Sequence, residues 1–333
     1  MMRFALSTNW NARRHTEGEA LVDEILSLGF EALELGYHTT EPLAEGIQRR
    51  ITSGAISVDS VHAYCPVPLS AAHGYPELYL LASADDDERA MAKILLGQTL
   101  DFASSMGARA VVLHAGRVLL RSWFKSYTTG TVLNALEDVE RDGSNPKFQK
   151  VLAKVLTCRT QQVGKIFDAF CLSLDALLPR FERAGITLCL ENLPSVEAFP
   201  DAQEMAMLKD RFTAAPLQYW HDMGHGQVRE FLGLENHLEV AQSLLPITGG
   251  IHIHDAKPPM EDHLLPGNGL IDWNAFSFYG SANLVRVFEP SPDTGPIALG
   301  IALRDLRKVW SVGSSSGQWL SSETLTADTT GPF

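Results

Sequence analysis

Ile251-His252-Ile253-His254-Asp255-Ala256-Lys257, running into Pro258-Pro259-Met260-Glu261-Asp262-His263-Leu264-Leu265-Pro266-Gly267-Asn268-Gly269, is the stretch whose reading decides the fold. It reads as a short buried strand whose end breaks into a loop. His252 and His254 are two residues apart and share one strand face, while Ile251 and Ile253 share the other. A strand with isoleucine on one side and imidazole on the other suits a closed parallel barrel, with isoleucines under the helices and histidines toward the lumen mouth. Histidine is the commonest metal ligand among side chains.

Upstream, strand and helix patterns alternate. Arg3 to Ser7 reads as strand, and Leu21, Val22, Ile25, Leu26 and Leu28 fall at helical spacing before Gly29. Thr16 and Glu19 have the spacing of a capping box for that helix. Phe30 to Gly36 completes a βαβ unit, which implies a parallel sheet. Ile56–His62, Ala108–His114, Ile186–Glu191, Leu217–Asp222 and Leu284–Glu289 supply the remaining strands. Ser83 reads as the cap of a helix whose apolar stripe is Met91, Ile94, Leu95, Leu100, Ala103 and Met106. The alternation predicts an α/β fold, a (β/α)8 barrel in one domain over residues 1–311. An insertion at about 119–160 follows the fourth strand, and a barrel helix runs from Val163 to Ala184. The Ser-, Thr- and Gly-rich tail, 312–333, reads as poorly ordered.

Composition narrows the function. The 333 residues are 45% hydrophobic, and 27 Lys and Arg against 40 Asp and Glu leave a net charge of −13. A nucleic-acid surface needs a basic stripe, so no nucleic-acid partner is expected, whereas cations and neutral small molecules are permitted. Cys65, Cys158, Cys171 and Cys189 have no CxxC spacing and read as free thiols in a reducing, cytoplasmic setting. No run of about twenty apolar residues predicts a membrane span. A homo-oligomer is left open.

The strand ends carry the chemistry. They are Glu34, His62, His114, Glu191, Asp222, His252 and Glu289, each after an apolar run. A buried carboxylate or imidazole without a partner is costly, and all seven converge on the mouth where barrel enzymes react. A divalent metal answers that energetics. His225, three residues after Asp222, and Glu261, His263 and His254 in and before the loop after strand seven are further candidate ligands, for a second or third metal or for substrate. The oxygen and nitrogen donor set suits Zn, Mn, Fe or Co better than Ca, and Mg is retained among the candidates. Taken singly, His62 or His114 is as readily a hydrogen-bonded structural histidine. Lys257, Arg117 and Trp10 are candidate substrate-binding residues, although for Trp10 and Trp220 core packing is the commoner role of such a side chain.

These motifs resemble the xylose isomerase-like, AP-endonuclease-2 superfamily of barrels. The resemblance is carried by Val61-His62-Ala63, Leu113-His114-Ala115-Gly116, Leu190-Glu191-Asn192, Asp222-Met223-Gly224-His225, His252-Ile253-His254-Asp255 and His263 through Asp272-Trp273. It covers about residues 3–310, outside the insertion. In the sugar epimerase branch it implies one metal held by Glu191, Asp222, His252 and Glu289, with Glu191 and Glu289 as the acid/base pair. In the DNA-repair branch it implies up to three zinc ions, using also His62, His114, His225, Glu261 and His263; position 261 departs from that branch's aspartate. The net charge and the run from His263 to Trp273 choose the sugar branch. The resemblance thus implies a metal-dependent sugar isomerase or epimerase working through an enediolate. A multi-zinc phosphodiesterase and a non-catalytic sugar-binding barrel are the alternatives. Whether the carbohydrate carries a phosphate is left open by the sequence.

Overall fold

The structure, a computed structural model, describes residues 2–121 and 125–311. Eight parallel strands close into a barrel. They are β1 (Ala5–Ser7), β2 (Ala32–Leu35), β3 (Ser57–His62), β4 (Ala110–Leu113), β5 (Thr187–Glu191), β6 (Leu217–Asp222), β7 (Thr248–Ile253) and β8 (Val285–Phe288). Each pairs with its sequence neighbours, and β8 closes on β1 through Ala5 opposite Val287 and Leu6 opposite Phe288. Every strand expected from the sequence is present; most start one or two residues later than expected, Leu217–Asp222 is unchanged, and the seventh begins earlier, at Thr248.

The outward side chains, among them Leu6, Leu33, Val61, Leu190, Ile251 and Ile253, form one core with the surrounding helices. A second core fills the lumen: Ala5, Ala32, Ala110, Val112, Cys189, Val285 and Val287 surround Trp220. Small residues on the other strands leave room for that one large ring. Gly250 does so most directly, since a Cβ there would run into the indole. Trp220 is therefore a plug beneath the mouth, fully buried, with its edge toward His252 at 5.2 Å between ring centroids.

The helices are α1 (Gly18–Ser27), α2 (Glu41–Thr52), α3 (Asp86–Ser105), α4 (Thr129–Glu137), α5 (Pro146–Ala184), α6 (Ala202–Arg211), α7 (Met223–Phe231), α8 (His237–Leu244), α9 (Phe278–Ser281) and α10 (Pro296–Ser311). Several local expectations need correction. Thr16 and Glu19 form no capping box: Glu17 flanks α1 without a side-chain cap, and Glu19 pairs with Arg49 instead. α3 is capped by Asp85, whose Oδ1 accepts from the amides of Asp87 and Glu88, while Ser83 bonds Glu88. The buried stripe of α3 is Ala92, Leu95, Leu96, Thr99, Leu100 and Ala103, so Met91 and Ile94 face outward. Two adjacent leucines and several small residues made its phase ambiguous.

The largest difference concerns the insertion. It holds α4, and its second half is the beginning of α5, a single 39-residue helix rather than a short helical patch followed by a helix from Val163. Asn145 caps that start, accepting from Lys147 N, with Pro146 in the first turn, where a missing N–H costs nothing. Arg159, buried, ties the outer half down through Glu204, Asp201 and the carbonyls of Val196 and Ala198. The tail, 312–333, expected to be poorly ordered, lies outside the described residues. Among these, no helix is long and apolar enough to cross a membrane.

Candidate metal centre at the barrel mouth

At the C-terminal ends of the strands, ligand atoms of Glu191, Asp222, His252 and Glu289 all lie within 4.8 Å of one another, and all four residues are buried. Strand order explains the convergence: β5, β6, β7 and β8 are consecutive in the barrel, and the inward residue is the last of β5 and β6, the next-to-last of β7 and the one just after β8. His252 Nδ1 stands 3.3 Å from Glu191 Oε1, 3.2 Å from Glu289 Oε2 and 3.6 Å from Asp222 Oδ2. The other ring nitrogen, Nε2, donates to Glu34 Oε1 at 3.0 Å, and Ser60 Oγ holds the second Glu34 oxygen at 2.7 Å. Glu34 thus fixes the tautomer that leaves the Nδ1 lone pair facing the carboxylates, the usual support for a ligating histidine. Nδ1 is buried and has no hydrogen-bond partner. Three carboxylates around Nδ1 call for positive charge there, supplied by a proton in the metal-free protein or by a cation that the neutral nitrogen would ligate.

The neighbouring histidines are arranged in the same way. His62 Nδ1 donates to its neighbour's carbonyl at 2.9 Å and turns Nε2 toward Glu191 Oε2 at 3.1 Å. His114 Nε2 lies 3.3 Å from that same oxygen, making His62, His114 and Glu191 a second possible ligand group. A third contains His225, His254 and His263. His225 Nδ1 donates to the Asn192 carbonyl and His263 Nδ1 to the Glu289 carbonyl, both at 2.9 Å, freeing each Nε2. His254 differs. Its Nδ1 accepts from the His263 amide at 2.9 Å, so its Nε2 carries the proton and donates to Asp222 Oδ2 at 2.8 Å. In this structure it orients Asp222. Gly224 makes room for its ring, since a Cβ there would overlap the imidazole.

Protonation follows from this crowding. Burial opposes ionisation of Glu191 and Asp222, yet the surrounding imidazoles hold both carboxyls well below the usual carboxylate range. Burial likewise opposes charging of the histidines, but Glu191 and Glu77 push His114 up to about 9, and Asp222 and Glu191 push His225 up to about 10. His252 lies well above its ordinary value, raised by Glu289, Glu34 and Glu191.

The remaining site candidates divide. Glu261 is exposed on a short strand, Glu261–Leu264, paired with Asp255–Lys257, and joins no ligand group; Asp262 Oδ2 comes nearer, 3.9 Å from His225 Nε2. Lys257 is exposed on the facing strand. Arg117 lines the mouth, with Nε and Nη2 on Glu77 at 2.8 and 3.1 Å. Trp10 is 1% exposed, donates Nε1 to the Thr294 carbonyl at 3.0 Å, and carries the Arg14 guanidinium 4.0 Å above its ring. Both Trp10 and Trp220 therefore pack. His221 points out of the lumen, as expected if Asp222 points in, and sits between Tyr279 OH at 2.6 Å and His237 at 3.0 Å.

Several residues act here in roles the sequence did not reveal, although Asn192 and Asp255 stand within the motifs that carry the resemblance. Glu77 comes from the loop after β3, and Asn9, 3.3 Å from Glu289 Oε1, from the turn after β1. Asn192 clamps Asp222 by a reciprocal pair of bonds at 2.9 and 2.7 Å. Asp255 accepts from the amides of Ala256, Gly267 and Ile271 and from Trp273 Nε1, folding the loop after β7 around one carboxylate. An acid three residues after the strand histidine His252, followed by Gly-x-Gly and Trp, was the available signal.

Fold and site together define a parallel (β/α)8 barrel with a centre of imidazoles and carboxylates at its C-terminal mouth. The chain belongs to the xylose isomerase-like TIM-barrel family, whose model matches residues 22–278. Among curated sequences it is similar to an uncharacterised protein of Methanocaldococcus jannaschii, 28% identical over 116 residues, which is 34% of this chain and 41% of that protein. Among solved structures it resembles a D-tagatose 3-epimerase-like protein (TM-score 0.66, 14% identity, 94% of this chain and 100% of that one). It also resembles the 3-keto-D-glucoside 4-epimerase YcjR of E. coli (0.65, 14%, 92% and 100%). A third is the D-psicose 3-epimerase of Clostridium cellulolyticum H10 (0.64, 15%, 93% and 99%). At these identities the likeness establishes the fold.

Proposed function

We propose that this protein is a divalent-metal-dependent sugar isomerase or epimerase. The observation that carries the reading is the convergence of Glu191, Asp222, Glu289 and the oriented, unpartnered Nδ1 of His252 on one point. Those four residues would hold the ion, which when bound polarises a carbonyl and an adjacent hydroxyl and so acidifies the neighbouring C–H. Glu191 and Glu289 flank His252 at 3.3 and 3.2 Å and approach from different strands. One removes the proton and the other returns it, on the opposite face or the neighbouring carbon. His62 and His114 hold Glu191 in place, and Asn9 holds Glu289. Trp220 closes the lumen below and shields the centre from water on that side. The epimerase names among the structural neighbours support the sugar class.

The test is incubation of the Mn- or Zn-loaded protein with a panel of ketoses in deuterated water, reading C–H exchange. Glu191→Gln and Glu289→Gln are each expected to lower exchange by about 10²–10⁴-fold. If no ketose exchanges, the reading fails. The two further histidine groups favour a second reading, a multi-metal phosphodiesterase. Three zinc equivalents per chain, with hydrolysis of a phosphodiester, would support it; one equivalent supports the isomerase.

A further inference from the structure

The centre opens into a cavity of about 410 Å³, lined by Glu77, His114, Arg117, Thr129, Glu197 and His225 among others. That size suits a small polar metabolite. Two features of its wall are ones that in many proteins receive a phosphate: an arginine fork and the start of a helix, α4. Here both are already occupied by the protein's own carboxylates. Arg117 presents Nε and Nη2 to Glu77, which is largely buried and also lies 3.5 Å from His114 Nδ1. At α4, the Thr129 amide donates to Glu197 Oε1 at 2.9 Å, the Thr129 hydroxyl donates to the other Glu197 oxygen, and the Thr128 amide donates to Thr131 Oγ1 at 3.1 Å. The arrangement is built in: Gly116–Arg117 pairs antiparallel with Ala198–Phe199, which brings the loops after β4 and β5 together and sets Glu197 beside the insertion.

We propose that this mouth selects an uncharged sugar and rejects its phosphate monoesters, with Glu77 and Glu197 as the specificity-determining residues. The proposal rests on the isomerase reading, since it names the substrate class of that same site.

Charge supports it. A cation held by Glu191 and Asp222 neutralises the carboxylates that raise His114 and His225; with those two imidazoles neutral, Glu191, Asp222 and Glu289 outweigh one divalent ion by one formal negative charge, Glu77 and Arg117 cancel, and Glu197 adds another. Arg117 is the one Lys or Arg lining the cavity among the described residues. A phosphate competing for it must displace Glu77 and leave a largely buried carboxylate without its cation, an expensive exchange. The hydroxyls of Thr128 and Ser195, both on the wall, suit neutral hydroxyl groups; Ser195 Oγ is buried without a hydrogen-bond partner.

The experiment is calorimetric binding of free ketohexoses and their 6-phosphates to the Mn-loaded full chain, with exchange measured separately. The free sugar is expected to bind at least about tenfold more tightly, a difference of about 1.4 kcal/mol. The preference should shrink with added salt, because screening weakens repulsion but not a steric clash. Glu197→Gln, whose amide oxygen can still accept from Thr129, and Glu77→Gln should each narrow the preference severalfold. Tighter binding of the phosphate ester, no binding of any free ketose, or a salt-independent preference unchanged in both variants overturns the proposal. Loss of exchange with retained selective binding overturns the isomerase reading instead, so the two failures are distinguishable.

Discussion

At the scale of single residues, the proposed centre depends on side chains outside its own ligand set. Glu34 has one oxygen on His252 and one on Ser60, and the tautomer of His252 follows from it. Glu34→Ala is expected to weaken metal binding by about 10–100-fold, the usual cost of losing such a support. Competition against a chelator measures this, and unchanged affinity would show that His252 is oriented without Glu34. Glu34 was visible in the sequence as a polar strand end, but its role was not: the partner lies 218 positions away, and no local pattern encodes that pairing. The same holds for Glu77 and Asn9, which occupy irregular loops and gain their meaning only from what the barrel brings beside them. Most of the strand-end residues were legible because each interrupts an apolar run, and burial makes such an interruption costly unless it is compensated; His62 is the exception, ending the mixed strand Ser57-Val58-Asp59-Ser60-Val61-His62.

At the scale of elements, the eight strands were legible because they lie between helices and read as apolar segments. Helix phases and boundaries were less so. In α3 the choice between two stripes depends on which leucine meets the barrel, and Leu95 with Leu96 satisfied both. In α5 the helix begins 17 residues before the expected Val163, because lysine, glutamine and threonine on an outer helix resemble a solvated connection. The loop after β7 depends on a single carboxylate. Asp255 is fully buried and accepts four hydrogen bonds, so Asp255→Ala strands several donors. A loss of about 3 kcal/mol is expected, at about 1–3 kcal/mol per unsatisfied buried group. Urea unfolding measures it, and limited proteolysis should show faster cleavage between residues 257 and 270. A loss under about 0.5 kcal/mol, typical of a surface change, would mean that Asp255 does not organise this loop.

At the scale of the whole molecule, the acidic centre links metal, protons and stability. His114, His225 and His252 have folded-state values raised above the ordinary histidine value, two of them to about 9 and about 10. Without metal, their charged pairing with the carboxylates stabilises the fold fully below about pH 6.5 and loses that contribution as pH rises toward those values. An ion held by Glu191, Asp222, His252 and Glu289 takes the neutral His252 and neutralises the carboxylates that charge His114 and His225, so the metal-loaded protein depends less on these protons. The gap in Tm between metal-loaded and chelator-treated protein is therefore expected to widen from pH 7 to pH 9, as read by scanning fluorimetry. A constant or narrowing gap would mean that these imidazoles are not charged in the metal-free protein.

The continuity of α5 has a practical consequence. At 1.5 Å per residue its 39 residues make a rod of roughly 60 Å, anchored about a third of the way along by Arg159. The canopy over the mouth and the barrel's own outer wall behind β4 are thus one rigid lever with a fulcrum, not a module hung on a hinge. Excising the insertion at residue 160 would sever the rod at its pivot, so a trimmed or swapped canopy has to be spliced in helical register rather than deleted as a loop.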